Sequence, residues 1–159
     1  MRKITQLLPT REGSIFSYTL LVLLAFSFLV RAQNLNYNSA FIDEATSIIV
    51  GRLGIFQGDW WSYNAFNWMS GNPVMNPALS GITYVFGGLM ASRLLSVFFG
   101  VLTVEVIVMF TILLSGPNKT ESYFAGLIAG IIVAFSPIAI NISRMTTYDM
   151  NSYYFSFLV

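Results

Sequence analysis

The sequence predicts an all-α fold: a polytopic membrane helical bundle with short amphipathic helices in its first outer loop. Three observations predict it. Of 159 residues, 55% are hydrophobic and only 9% charged, against about 25% charged in an average globular domain. Mean hydropathy is +0.68. The few charges gather between long uncharged runs instead of scattering along the chain. Eight basic and seven acidic residues leave a net charge of +1. That excludes the concentrated basic patch of a nucleic-acid-binding domain and the highly charged, weakly hydrophobic composition of a disordered chain. There is no cysteine and no histidine. Disulfides, thiolate chemistry, zinc-thiolate sites and histidine acid–base catalysis are therefore excluded. Carboxylates, Arg, Lys, Tyr and backbone groups remain.

The first span is expected at about residues 13–31. Eighteen uncharged residues run from Gly13 to Val30, close to the ~20 needed to cross a bilayer core. Arg2, Lys3 and Arg11 precede them, so the positive-inside rule places the N-terminus in the cytoplasm. Val30 and Ala32 also fit the −3 and −1 positions of a signal-peptide cleavage site. An uncleaved span is the better reading, because the apolar run exceeds the usual 7–15 residues and further spans follow.

Residues 32–90 form the outer loop. Phe41, Ala45, Ile48, Ile49, Leu53 and Phe56 recur at helical spacing and predict one amphipathic helix. Asn38 or Ser39 is its expected N-cap, with Asp43 and Glu44 near the positive end of the helix dipole. Trp60, Trp61, Tyr63, Phe66 and Trp68 read as an interfacial aromatic belt, with a sugar-stacking platform as the rarer alternative. Asn76-Pro77 reads as N-cap and N1 of a second short helix that ends near Gly87-Gly88.

A second span is expected at 91–114, with Arg93 near its outer end and Glu105 well inside. A polar turn from Ser115 to Glu121 follows. The third span, 123–142, has 20 residues without a charge. An outer turn then carries Arg144 and Asp149, and a fourth span starts near Ser152. The apolar stretch up to Val159 ends without cap or anchor, so the chain reads as a truncated N-terminal part of a longer protein. The sequons at Asn118 and Asn141 read as chance matches: one faces the cytoplasm and the other lies at a span end. No repeat, low-complexity tract, P-loop or dinucleotide-binding glycine motif occurs.

Asp43 and Glu44 are the central chemical candidates. Adjacent residues diverge by about 100° on a helix, so the two carboxylates must do different jobs. The plain alternative is dipole complementarity at a solvated helix end. The functional reading is a general base at a membrane surface, where partial desolvation suits a carboxylate to deprotonating a hydroxyl. Arg144 and Asp149 share the outer side; they read either as a helix-end anchor and cap or as a phosphate clamp, for which Arg is suited. Arg93 either snorkels to the interface or meets an anionic head group. Glu105 lies roughly 18 Å along its helix from Arg93. An acid at that depth costs about 2.5–3.5 kcal/mol to insert, so a protein partner or a protonated state is expected. Helix-packing glue and a proton or ion path are its two readings.

The order of these features resembles the N-terminal part of the GT-C superfamily of membrane glycosyltransferases, in the branch of protein O-mannosyltransferases and lipid A aminoarabinose transferases. Phe41-Ile42-Asp43-Glu44-Ala45 is similar to the Asp-Glu opening of that family's first outer loop. Gly71-Asn72-Pro73 through Asn76-Pro77-Ala78-Leu79 is similar to its Gly-x-Pro…x-Pro-x-Leu stretch. Ala91-Ser92-Arg93-Leu94 matches its Ala-x-Arg-Leu start of the second span, and Ser143-Arg144 through Asp149 its Ser-Arg…Asp turn. The chain departs from many members in having Asn76 where they carry His or Lys, so a later loop supplies that charge or the donor is held differently.

The resemblance implies an inverting transfer of a hexose or pentose from a polyprenyl-phosphate carrier to an acceptor hydroxyl of a protein, lipid or glycan. It places the reaction on the outer or lumenal face of the plasma membrane or endoplasmic reticulum. By carry-over Asp43 is the general base and Glu44 its positioning neighbour, while Arg144, Asp149 and Arg93 attend the donor phosphate or substrate. No cofactor is implied beyond the lipid-linked donor. Asp43, Glu44 and Asp149 are scattered oxygen ligands that define no metal site, and divalent-metal assistance stays open. The alternatives are a transporter or lipid-handling protein, motivated by Glu105, and a non-catalytic membrane scaffold subunit, motivated by the scarcity of polar groups.

Overall fold

The computed structural model describes residues 11–36, 38–60, 75–116 and 118–145. Among these, all regular structure is helical: α1 (Arg11–Ala32), α2 (Ile42–Gln57), α3 (Met75–Leu114), α4 (Lys119–Ala134) and α5 (Pro137–Ser143). Two helices, Glu12–Ala32 and Met75–Leu114, are long and apolar enough to cross a membrane. The expected fourth span, the Trp61–Trp68 aromatics, the Gly71–Pro73 motif and Asp149 lie outside the described residues.

Three contacts fix the relative directions of the helices. At one end, the Thr120 hydroxyl donates to the Glu12 carboxylate at 3.2 Å, and Phe16 stacks on Tyr123 at 4.5 Å. At the other end Arg31 of α1 donates to the carbonyls of Val133 and Ala134. So α1 and α4 run parallel. The later part of α3 runs antiparallel between them, with Val104 in one core with Leu23 and Ala134. Small residues allow the approach, as expected where helices gain no hydrophobic drive by leaving lipid. Ser122, Gly126, Gly130 and Ala134 are the buried face of α4. A Cβ on Gly130 would lie 2.5 Å from the Val108 side chain.

α3 is two arms, as Gly87-Gly88 predicts. Both residues leave the helical region, and Gly88 (φ 65°, ψ −156°) takes a conformation open essentially to glycine alone. The arms fold back far enough for the Ser92 hydroxyl to donate to the Ser80 carbonyl at 3.0 Å. The first arm begins at Met75, so Asn76 lies inside its first turn. It does not stand before the helix as a cap; it is buried, with its amide 3.5 Å from the Ser47 hydroxyl of α2.

The third span expected at 123–142 corresponds to a bent pair of helices, not to one continuous helix. α4 stops at Ala134, α5 starts at Pro137, and the axis turns by 64° between them. Pro137 has no N–H to continue the ladder and disfavours helical geometry at the residue before it. Ser136 then caps α5, accepting from the Ala139 N–H at 3.4 Å. An uncharged run locates apolar surroundings, but it does not guarantee an unbroken helix.

The predicted face of α2 is also reversed in part. Ile48 is buried, but Phe41, Ile49 and Phe56 are exposed. Its buried residues are Glu44, Ser47, Ile48, Val50, Gly51 and Gly54, and Gly51 meets the backbone of α3 at Pro77 and Gly81. Close backbone approach selects small residues here, and the larger apolar groups turn outward. Trp60 is correspondingly not a free belt residue. It packs on Val50 and over Gly54.

Candidate functional site

The chemistry collects at the end of the molecule where α1 finishes. Arg93 starts the long arm of α3 and is 3% exposed; Glu44, in the first turn of α2, is 0% exposed. They form a two-pronged ion pair. Arg93 Nε donates to Glu44 Oε1 at 2.9 Å and Nη2 to Oε2 at 2.7 Å. This fork geometry is the strong form of the interaction. Arg93 also donates to the backbone carbonyls of Leu35, Asn38 and Ser39. Glu44 Oε2 accepts the Phe41 N–H at 2.9 Å, so Glu44 closes the start of its own helix.

This explains why neither Asn38 nor Ser39 is the N-cap. Their carbonyls are held by Arg93, which keeps that segment outside the helix, and Phe41 takes the cap position in extended backbone. It also fixes the surroundings of two predicted site residues. Arg93 neither snorkels nor presents itself at the surface, and Glu44 is enclosed with it. Asp43, one residue away, is exposed and forms no hydrogen bond or ion pair among the described residues. The two carboxylates therefore diverge as their helical spacing requires.

Two further guanidiniums lie at the same end. Arg31 is fully buried. Its Nη1 donates to the Ser27 hydroxyl at 2.6 Å and the Ala134 carbonyl at 2.9 Å, and its Nη2 to the Val133 carbonyl at 3.2 Å. It thereby ties the end of α1 to the last carbonyls of α4. Arg144, which closes α5, donates to the Val30 carbonyl at 2.8 Å. Neither arginine has a carboxylate partner among the described residues; Glu44 is taken by Arg93.

Three buried polar atoms have no partner among the described residues: Arg31 Nε, Arg144 Nε and Ser96 Oγ. A Cβ on Gly100 would meet Ser143 at 2.6 Å and Arg31 Nε at 3.4 Å. Ser96 lies one turn earlier on the same face of α3, and Arg144 follows Ser143. Of the three, Arg31 Nε lies beside Gly100, where α1, α3 and α5 meet.

Arg31 is the residue that reading the sequence missed as a site residue, since it looked only like the charge that ends a span. The signal was present in Ser27, four residues earlier, which offers a hydroxyl on the same helical face. Glu105 is half-buried on the long arm and forms no hydrogen bond or ion pair among the described residues. No grouping of three or more acidic residues able to hold a metal ion exists among the described residues. No family model, curated protein or solved structure matches the chain.

Proposed function

We propose that this is part of a polytopic membrane glycosyltransferase that moves a sugar from a polyprenyl-phosphate donor to an acceptor hydroxyl on the outer or lumenal face. One observation carries the reading. The acidic pair divides into a buried, engaged Glu44 and an exposed Asp43 without a partner, at the same end as two guanidiniums with no carboxylate among the described residues. That combination suits an inverting displacement. Asp43 takes the acceptor proton, the hydroxyl oxygen attacks the anomeric carbon, and the bond from that carbon to the phosphate oxygen breaks. Arg144 stabilises the departing lipid phosphate. Glu44 and Arg93 act by positioning, since they hold the first turn of α2 against α3. Asp149 remains assigned to the donor side by resemblance alone.

The test is sugar transfer by the full-length protein from polyprenyl-phosphate sugars. Asp43→Asn is expected to lower the rate at least 100-fold, the lower end of a general-base contribution of ~10²–10⁴, without lowering the unfolding midpoint. Full activity in that variant rejects Asp43 as the base. A second reading, transport across the membrane, is favoured by Glu105 alone. Substrate flux in proteoliposomes that is lost in Glu105→Gln, without any sugar transfer, selects it.

A further inference from the structure

α2 carries apolar side chains on two faces, and protein covers only one of them. Ile42, Ala45, Ile49, Leu53 and Phe56 follow one another at intervals of three and four residues, so they share one side of the helix. Ile42, Ile49 and Phe56 are exposed. Gly51, which the backbone of α3 approaches closely, stands nine residues from Ile42 and so faces the opposite side. The first arm of α3 repeats the pattern. Met75, Leu79, Ile82 and Phe86 share one side, and Met75, Ile82, Val85 and Phe86 are exposed, Phe86 at 85%. The arm's buried residues, Asn76, Pro77, Ser80 and Gly81, lie off that stripe.

The two stripes meet. A groove of about 450 Å³ between the helices is lined by Ile49, Arg52, Leu53, Phe56 and Gln57 of α2 and by Val85 of α3. Arg52 is exposed, and its guanidinium lies 5.6 Å from the centre of the Tyr84 ring. No acidic residue lines the groove, and Arg52 forms no ion pair among the described residues.

Position and chemistry together say what lies against this surface. Glu44, in the first turn of α2, is held by Arg93, and the Ser80 carbonyl of the first arm is held by Ser92. Ser92 and Arg93 open the long arm of α3, part of a helix long and apolar enough to cross a membrane. Both stripes are thus fastened near the end of a span. Contiguous exposed apolar surface marks a binding face. An apolar face with a basic group and no acid in its groove is the make-up of helices that lie in a membrane interface, sunk partly into the boundary between headgroups and acyl chains.

We propose that α2 and the first arm of α3 form a platform that lies in the membrane interface. Ile42, Ile49, Phe56, Ile82 and Phe86 enter the acyl boundary, and Arg52 meets lipid phosphates, with a preference for anionic lipids. The partner is the phospholipid bilayer itself. The proposal does not depend on the glycosyltransferase reading, and neither stands or falls with the other.

The experiment measures where the stripes lie, with full-length protein in vesicles of mixed phosphatidylcholine and phosphatidylglycerol. Nitroxide labels are attached singly to Ile49→Cys, Phe56→Cys and Phe86→Cys in a background otherwise free of cysteine. Exposed Leu21→Cys on α1 and exposed Lys119→Cys at the start of α4 serve as lipid and water references. Collisions with oxygen, which concentrates in hydrocarbon, are compared with collisions with a water-soluble nickel chelate. Oxygen is expected to prevail at all three platform positions, as at Leu21→Cys, and nickel at Lys119→Cys. Nickel prevailing at any of the three puts the stripe in water and overturns the proposal. Few collisions with either reagent mean that protein covers the stripe, which overturns it equally. Arg52 is tested by native mass spectrometry of retained lipid. Arg52→Gln should lower the preference for phosphatidylglycerol over phosphatidylcholine about fivefold, the size expected of one basic residue at an anionic surface, and Arg52→Lys should keep it. An unchanged preference in Arg52→Gln overturns the phosphate contact.

Discussion

Glu44→Ala is expected to lower stability by about 3–5 kcal/mol, because it leaves Arg93 buried and uncompensated. Both members of the pair are almost wholly enclosed, so solvent screening, which makes surface pairs nearly worthless, does little here. A cycle with Arg93 tells how the cost divides. If the ion pair alone mattered, replacing both residues by Met would be close to neutral. Arg93 also holds the carbonyls of Leu35, Asn38 and Ser39, which the double variant leaves without that donor. The double variant is therefore expected to stay well below the parent, with faster proteolysis between residues 33 and 40. A double variant as stable as the parent would reduce those carbonyl contacts to bystanders. The result also bears on function. Loss of activity in a Glu44 variant would follow from loss of structure, whereas loss in Asp43→Asn at an unchanged unfolding midpoint would report on chemistry.

The legible parts of the fold were those set by local backbone chemistry. Gly87-Gly88 marked the break in α3 because only glycine takes the required conformation there. Asp43 and Glu44 were placed in the first turn of α2 by the helix dipole, and their divergence followed from 100° per residue. What failed was inference from hydrophobicity to direction. In α2 Phe41, Ile49 and Phe56 of the expected stripe face outward, while Ile48 is buried beside small and polar groups. Close backbone approach of α2 to α3 at Gly51 and Gly81 selects small residues there. The period of four in Ser122, Gly126, Gly130 and Ala134, which meets Val104 and Val108 on α3, was the readable signal of the helix interface. Pro137 was likewise visible within the uncharged run, and its effect on the preceding residue gives the 64° turn.

The site was legible as a set of residue types on one side, but not as a set of pairings. Glu44 and Arg93 are 49 residues apart, and nothing in their local sequence says that they meet. Once they do, the charge inventory of that end changes. Among the described residues the one buried carboxylate is engaged, and Arg93 is engaged with it. Arg31 illustrates the same point from the other direction. It stands where the first uncharged run ends, yet it is buried and donates to the last carbonyls of α4.

The second large effect is expected from a single methyl group at Gly51. A Cβ there would lie 1.7 Å from the Pro77 carbonyl oxygen, 2.4 Å from the Pro77 carbonyl carbon and 3.1 Å from the Gly81 nitrogen. The approach is mutual: a Cβ on Gly81 would lie 2.5 Å from the Gly51 carbonyl carbon and 2.6 Å from the Arg52 nitrogen. Every one of these obstacles is backbone. A side chain could rotate out of the way, but here α2 and the first arm of α3 must move apart as units. Overpacking a close-packed interface costs about 1–3 kcal/mol when side chains can adjust, so Gly51→Ala should reach or exceed the top of that range. The separation would also pull Asn76 from Ser47 and Arg52 from the ring of Tyr84, which it faces at 5.6 Å. It would also loosen the α2 end that presents Glu44 to Arg93. Gly51→Ala and Glu44→Ala should therefore be less than additive when combined, because each removes part of what the other depends on. Thermal unfolding of the two single variants and the double variant measures this, with the exposed Gln57→Ala as a control expected to change stability by under about 0.5 kcal/mol. Full additivity would mean that the glycine contact and the ion pair hold α2 independently. A Gly51→Ala protein that melts with the parent would mean that α2 does not dock on α3 through this face.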